Sequence, residues 1–282
     1  MKITSLEQAL ALKKQGKLLG VFDMPDYIYH SPELGAINNS GFKHLAKSPA
    51  HYKAWTNEEQ AKTPAMILGT MVHHAILEPE KLETEYAIMP EINRKTNAGK
   101  AEYALFCEDN KNKTVVKQED MDHVKEIACE ARKHPYFETL LSEGKAEQSL
   151  FWIDDETGAY CKIRVDYLNP KIGLVIDLKT TSKDAGEFGR SIAKYGYHIA
   201  NAFYLEGIKK VLDMKPDFLF FVVEVNKPYG VKLYKLDTAS LLYGKDLFVE
   251  YLRLFSDCAK NDVWRGYDYD AETVGLPEWA YK

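Results

Sequence analysis

The feature that most constrains the fold of this 282-residue chain is a run of three β-type segments joined by two short turns. Positions 149–153 are rich in β-forming residues, positions 159–168 alternate apolar and polar residues, and positions 174–179 form a mainly apolar run. Turn-forming residues fill positions 154–158 and 169–173. Alternation bounded by such turns is typical of half-buried strands, so this region predicts an antiparallel meander.

The rest of the chain shows helical periodicity and two further strand patterns. We predict helices within 1–20, 40–45, 65–77, 119–141, 184–212 and 238–259, and strands at 218–225 and 230–236. Ser40 is expected to cap the second of these helices. Together the patterns predict an α/β (α+β) fold in which helices flank a central mixed β-sheet. We expect a single domain spanning 1–282, with residues 1–60 as an N-terminal helical and loop extension packed on the core.

Composition narrows the possible functions. Apolar residues make up 45% and charged residues 28% of the chain, which excludes a disordered protein. The net charge of −5 excludes a wholly basic nucleic-acid coat but permits a local basic groove. No apolar run approaches the roughly 18 residues of a membrane span, and the first residues lack a signal-peptide pattern. Four scattered cysteines without a Cys-x-x-Cys pair favour a reducing cytoplasm, so we expect a cytoplasmic protein without membrane contact.

One polar segment, 91–117, carries a cluster of cations that includes Arg94 and Lys95. It is either a solvated surface loop or a flexible arm that contacts phosphates. The spacing of its residues does not decide between the two interpretations.

The second hairpin of the meander brings two aspartates together. We centre its turn at positions 171 and 172. In that register Asp166 faces Asp177, and Lys179 points the same way as Asp177. Directly opposed side chains have Cβ atoms about 4.5–5.5 Å apart, so the two carboxylates repel unless a cation offsets their charge. Mg²⁺ suits oxygen ligands, and a neighbouring lysine fits metal-assisted hydrolysis of a phosphodiester.

A surface carboxylate pair, with Lys179 and Arg164 as salt-bridge partners, is the alternative. A one-residue slip in register would also turn Asp177 to the wrong face. Against this, Asp177 is embedded in an apolar run, and a buried aspartate needs a cation or a full set of hydrogen bonds.

Two residues outside this hairpin are further candidates. If the first turn is tight, Glu147 faces Asp166 and adds a third carboxylate, whereas a turn longer by one residue leaves it a solvated glutamate. His73 lies beside His74 on the 65–77 helix, where the alternative is an ordinary core or surface histidine. A zinc site built from this adjacent pair is disfavoured, because neighbours on a helix point about 100° apart and no nearby cysteine spacing completes it.

The order of several short motifs adds a family resemblance. The motifs are Ile28-Tyr29-His30, Asn39-Ser40-Gly41-Phe42, Ser48-Pro49-Ala50-His51-Tyr52, Gly69-Thr70-Met71-Val72-His73, the 147–152 segment, Arg164-Val165-Asp166, Asp177-Leu178-Lys179-Thr180-Thr181 and Tyr197-His198. This series resembles the nuclease domain of RecE-type exonucleases (exonuclease VIII), which belong to the PD-(D/E)xK superfamily and are related to lambda-type exonuclease. The resemblance covers roughly residues 25–260.

The resemblance implies roles for individual residues. The metal ligands it implies are Asp166, Asp177, the main-chain carbonyl of Leu178, Glu147 and His73. Lys179 matches the family's catalytic lysine, and His73, Asp166 and Asp177 also count among its catalytic residues. The implied cofactor is Mg²⁺, with Mn²⁺ as a substitute.

The resemblance also implies an activity. It is that of an exodeoxyribonuclease that degrades one strand of linear duplex DNA in the 5′→3′ direction and leaves a 3′ overhang for recombination. Family members are ring-shaped homo-oligomers, usually work beside a single-strand annealing protein, and are common in phages and prophages. We therefore expect duplex DNA ends as the partner, and the cytoplasm of a bacterial host as the location.

Two departures from the family pattern bear on activity. Val165 stands where the motif name has proline, which is tolerable because the aspartate carries the chemistry. Ala200 stands where the family commonly has a glutamine, one helical turn before a tyrosine that matches Tyr204, and alanine cannot reach a phosphate. The alternative function is therefore a catalytically weak or inactive descendant that binds DNA ends or a host protein.

The residues expected to contact DNA are Arg164, Tyr197, Asn201, Tyr204, Arg94 and Lys95. Tyr197, Asn201 and Tyr204 share one helical face with Ala200. The alternative for the two tyrosines is simple packing of that helix on the sheet, and each cation alone is more often solvated.

Overall fold

The predicted meander forms the centre of a six-stranded sheet in the computed structural model, which describes residues 1–58, 63–267 and 269–281. The strands of the described chain are β1 Gly20–Phe22, β2 Tyr86–Ile88, β3 Thr114–Val116, β4 Lys145–Ile153, β5 Tyr160–Asn169, β6 Leu174–Thr181, β7 Asp217–Glu224 and β8 Val231–Tyr234. The helices are α1 Leu6–Lys14, α2 Asp26–Tyr29, α3 Asn39–Leu45, α4 Pro49–Asn57, α5 Pro64–Leu77, α6 Lys81–Thr84, α7 Asn97–Asp109, α8 Gln118–Arg132, α9 Phe137–Leu140, α10 Phe188–Tyr195, α11 Tyr197–Leu212 and α12 Thr238–Asn261.

The main sheet has the strand order β1-β4-β5-β6-β7-β8. The β6–β7 pairing is parallel, whereas the other neighbouring strands run antiparallel. Parallel neighbours need a long crossover, which α10 and α11 provide. Strands β2 and β3 form a separate parallel pair. A mixed sheet flanked by helices confirms the predicted α/β (α+β) fold class.

Short turns set the register of the meander. Gly158 and Gly173 take left-handed φ values of 70° and 63° in the two turns, which glycine adopts without steric cost. The β5–β6 ladder sets Tyr167 opposite Ile176, as predicted from the turn at 171 and 172. The β4–β5 ladder likewise keeps the register in which position 147 lies opposite position 166. The alternative slips of one residue therefore do not occur.

Helices cover both faces of this sheet. On one face α11 packs on β4 and β5 and buries Phe203. Its close approach depends on Gly207, where a Cβ atom would lie 2.7 Å from the Trp152 ring. On the other face α5 and α8 bury Met71 and Ile127. Within the described ranges, none of these helices has the combined length and apolarity of a membrane span.

A third apolar cluster joins the N-terminal segment to the sheet. Ile3, Leu18, Ile28 and Leu34 pack together with Phe151 of β4. Strand β1 adds to the outer edge of β4 in the same region. The boundaries 1–282 and 1–60 stay predictions, and positions 59, 60 and 282 lie outside the described residues.

Two local predictions are wrong. Asn38 and not Ser40 caps α3, since the Asn38 side chain accepts a hydrogen bond of 3.0 Å from the Gly41 N–H. The segment 91–117 is not one continuous loop or arm, because it contains α7, capped by Thr96, and the paired strand β3. Arg94 and Lys95 lie in the turn before α7, whereas Lys100 lies on the helix itself, where it is exposed.

Candidate active site

The β5–β6 ladder ends beside Asp166 and Asp177. Its last pair is Tyr167 with Ile176. Beyond that pair, the Asp166 Oδ2 atom accepts a hydrogen bond of 2.7 Å from the Leu178 N–H. The carboxylate thus takes the place of a backbone acceptor, and the strands part where the predicted site begins.

Glu147 enters the site at an irregular point of β4. Its φ is 51°, a left-handed conformation that costs a non-glycine residue about 1–3 kcal/mol. The in-and-out alternation of the β5 side chains is interrupted beside Glu147. Val165 and Leu168 both join the apolar cluster under α11, whereas Tyr167 joins the cluster on the opposite face of the sheet. The two irregularities coincide where Glu147 lies opposite Asp166.

Three side chains converge as a candidate metal centre. Ligand atoms of His73, Glu147 and Asp166 all lie within 4.8 Å of one another. The His73 Nδ1 atom, which α5 brings to the sheet, is 3.7 Å from Asp166 Oδ2. Two carboxylates and one imidazole form a donor set suited to Mg²⁺ or Mn²⁺. The residues present therefore fit the divalent ion that the motif implies.

Asp177 lies next to this group and pairs with Lys179. Asp177 is only 5% exposed, and its carboxylate forms an ion pair with the Lys179 ammonium. The Lys179 Nζ atom also lies 3.4 Å from the Leu178 carbonyl oxygen and 5.2 Å from the centre of the Tyr197 ring. Asp177 interacts electrostatically with Asp166. The structure thus brings all the motif residues to one place, with Asp177 held by Lys179 beside the three-residue group.

Burial controls the protonation of the site. Burial and the neighbouring Asp166 carboxylate raise the pKa of Glu147 to about 8. Burial also raises the pKa of Asp177 to about 6, although Lys179 opposes this shift. Burial and Lys179 lower the pKa of His73 to about 4, so its imidazole is neutral and able to bind a metal at neutral pH. A divalent cation bound between such crowded carboxylates would relieve their mutual repulsion.

A groove of about 670 Å³ opens onto the candidate metal centre. Its lining includes His73 and Glu147 together with three cations, Lys183, Arg190 and Lys194. The last two lie on α10. Carboxylates that can hold a metal, next to cations that can pair with phosphates, suit a phosphodiester chain.

A smaller cavity of about 340 Å³ shares His73 with the groove. Its lining includes Lys179 and three residues of α11, namely Tyr197, Ala200 and Tyr204. Tyr197 lines both cavities, as expected for a residue that contacts substrate. Both tyrosines also pack against the main apolar cluster, so packing and substrate contact are compatible for them.

The other residues expected to contact DNA lie away from open solvent or away from the site. Asn201 is 1% exposed on the inner side of α11, and Arg164 is 7% exposed with protein partners around its guanidinium. Arg94 and Lys95 are exposed, but they are not among the residues that line the groove beside the candidate metal centre. The Arg94 guanidinium instead stacks 4.7 Å from the centre of the Tyr103 ring.

Two residues of the groove are not singled out by the sequence patterns. Lys194 follows Arg190 by one helical turn, and that i, i+4 spacing was the signal that could have identified it. Asp26 lines the groove and is 138 positions from its partner Arg164, so no local pattern connects the two.

Comparison with known proteins gives a family and a fold. A family model described as "PDDEXK-like domain of unknown function (DUF3799)" matches residues 38–274. Among solved structures, a "Putative exonuclease" from Eubacterium rectale shares 17% identity and a TM-score of 0.55, over 88% of this chain and 94% of that chain. The structure of SSO0001 shares 13% identity and a TM-score of 0.27, over 66% of this chain and 85% of that chain. No curated protein matches the sequence. At 17% identity, the first of these likenesses shows a common fold alone.

Proposed function

The chain belongs to the PDDEXK-like domain family, and from this membership we propose that it is a metal-dependent exonuclease that degrades one strand of linear duplex DNA. The observation that carries the proposal is the approach of His73, Glu147 and Asp166 to within 4.8 Å, at the end of a groove with basic residues in its lining. A structural carboxylate cluster would not need a neutral imidazole or an open groove beside it.

The metal site is proposed to consist of His73, Glu147 and Asp166, with Asp177 and the Leu178 carbonyl completing it. A divalent ion bound there supplies Lewis-acid polarisation of the scissile phosphate. The protein's part is to keep these ligands together. The left-handed backbone at Glu147 holds one of them in place without help from the ion.

Lys179 is proposed to act on the substrate as a cation. Burial lowers its pKa, but Asp177 and Asp166 outweigh that effect and raise it, so the side chain stays an ammonium. An ammonium can donate hydrogen bonds to the attacking water and to a phosphate oxygen. Its pairing with Asp177 fixes the direction in which it does so.

The finer features of the activity rest on the resemblance to RecE-type exonucleases. They are the 5′→3′ direction, the 3′ overhang, a role in phage-type recombination in a bacterial host, a homo-oligomeric ring and a single-strand annealing protein as partner. A DNA-end-binding protein without activity is the second candidate. Ala200 favours it, because this position lines the cavity beside Lys179 and carries no polar group.

Digestion of end-labelled duplex DNA tests the proposal. Linear duplex with a label on either the 5′ or the 3′ end is incubated with the protein and Mg²⁺ or Mn²⁺, with a closed circle of the same DNA as the second substrate. We expect digestion of the linear DNA alone, with release of the 5′ label first. Asp166→Asn abolishes the reaction, whereas Asp246→Asn, at an exposed position of α12, leaves it unchanged.

Three outcomes would contradict the proposal. Digestion that survives Asp166→Asn would show a contaminating nuclease. Cleavage of the closed circle would show an endonuclease. Binding of linear ends without cleavage by either metal would favour the second candidate.

A further inference from the structure

The guanidinium of Arg164 is buried beside the candidate metal centre, and the N-terminal segment supplies most of its partners. Arg164 is 7% exposed and forms an ion pair with Asp26. Its Nη2 atom donates a hydrogen bond of 2.8 Å to the Met24 carbonyl oxygen, and its guanidinium carbon lies 4.3 Å from the centre of the Tyr29 ring. A buried cation needs such partners, because desolvation without them is costly.

The same guanidinium faces Glu147 on its other side. The Arg164 Nε atom donates a hydrogen bond of 3.0 Å to Ser149 Oγ and lies 3.8 Å from Glu147 Oε2. The first of these distances is a hydrogen bond, whereas the second is an ion pair without one. Two carboxylates therefore share one buried cation, and Asp26 holds it more closely than Glu147 does.

We propose that Asp26 is a positioning residue for the metal centre, which acts through Arg164 on Glu147. By engaging the guanidinium, Asp26 leaves the Glu147 carboxylate available to a metal ion together with His73 and Asp166. Without the Asp26 charge, Glu147 becomes the nearest anion to Arg164 and is drawn into a direct pair. This inference rests on the proposed metal-dependent function.

The segment that carries Asp26 packs against the sheet. Phe22, Met24 and Ile28 are buried around it, and β1 pairs with β4. The Lys162 Nζ atom of β5 also donates a hydrogen bond of 2.5 Å to the Tyr29 carbonyl oxygen. Asp26 precedes the matched family range 38–274, so a positioning residue of the site comes from outside that range.

Calorimetric titration of the full chain with Mn²⁺ tests the proposal without relying on nuclease activity. Asp26→Asn keeps the shape of the side chain but removes its charge. We expect Mn²⁺ to bind this variant about tenfold more weakly, the lower end of the range for residues that orient metal ligands. Asp26→Glu, which keeps the charge, binds Mn²⁺ more tightly than Asp26→Asn. Asp23→Asn, an exposed aspartate of the same segment, binds as the parent does.

A double-mutant cycle separates positioning from a long-range charge effect. In a Glu147→Gln background, Asp26→Asn is expected to cause no further loss of Mn²⁺ affinity, because the residue it acts on is already neutral. An equal loss in both backgrounds, or no loss in either, would overturn the inference while leaving the proposed function intact. A parent protein that binds no Mn²⁺ would overturn both together. Thermal unfolding of each variant verifies that it is folded.

Discussion

Glu147 lies opposite Asp166 across the β4–β5 ladder, and the two carboxylates meet at a point where the backbone of Glu147 is left-handed. Repulsion and backbone strain at one position are unfavourable for a metal-free fold. A protein retains such an arrangement when a ligand compensates for it.

Metal-free protein should become less stable as the pH rises from about 4.5 to about 8. Burial and Asp166 raise the pKa of Glu147 from its ordinary value of 4.5 to about 8, so the folded state holds a proton that the unfolded state releases. The stability that this proton contributes is fully present below pH 4.5 and is lost as the pH rises through about 8. Unfolding temperatures in EDTA should fall with pH more steeply for the parent than for Glu147→Gln. Equal slopes would contradict the prediction.

Mn²⁺ should raise the unfolding temperature more at pH 8 than at pH 6. The ligands must lose their protons before they bind the ion, so the affinity grows with pH over this interval. Differential scanning fluorimetry with and without Mn²⁺ measures the effect. In Asp166→Asn the metal-induced shift should disappear, and a shift that persisted would place the ion elsewhere.

Lys179→Met should lower the cleavage rate by about 100-fold or more, the usual effect of removing one donor from a developing negative charge. Mn²⁺ binding should survive, because the lysine is not a ligand. Calorimetry and single-turnover digestion separate the two effects. Loss of metal binding would show that the pair with Asp177 is needed to build the site.

Ala200→Gln should increase the cleavage rate. The side chain lines the cavity of about 340 Å³ that also contains Lys179, and one new hydrogen bond to the substrate is worth up to about tenfold. Ala193→Gln, at an exposed position of α10, is the control. An unchanged rate for Ala200→Gln would contradict the role that the resemblance to RecE-type exonucleases implies for this position.

Arg190→Glu combined with Lys194→Glu should weaken DNA binding and its dependence on salt. If each cation contacts one phosphate, the slope of log affinity against log salt should fall in magnitude by about two. Fluorescence anisotropy in EDTA measures binding without cleavage. Lys209→Glu combined with Lys260→Glu, at exposed positions outside the groove lining, should change the slope little.

The central part of the site was predictable from the sequence because its geometry is local. Tight turns fix the register of a hairpin, so the pairing of β5 with β6 followed from turn spacing as far as Tyr167 opposite Ile176. The ladder ends there, so the predicted direct opposition of Asp166 and Asp177 is not part of it. The place of Glu147 also followed from turn spacing. Its left-handed backbone did not, since no glycine or asparagine marks the position.

Other features depend on contacts distant in sequence. The Asp26–Arg164 pair joins positions 138 residues apart, and burial of Asn201 depends on which helix face meets the sheet. Helix α7 was not predicted, because its polar residues face solvent and the hydrophobic periodicity of the segment is weak. Ser40 and Asn38 were both acceptable caps by residue type, and backbone geometry alone selects Asn38.

The attachment of the first 37 residues to the sheet bears on how the protein should be truncated for experiments. A shortened chain that begins where the family range begins would keep the predicted catalytic residues but lose the Ile28-Tyr29-His30 motif and β1, uncover Phe151, and strip Lys162 and Arg164 of their N-terminal partners. If such a fragment were inactive, the cause would be the missing part of its scaffold. The result would say nothing about the chemistry of the intact chain.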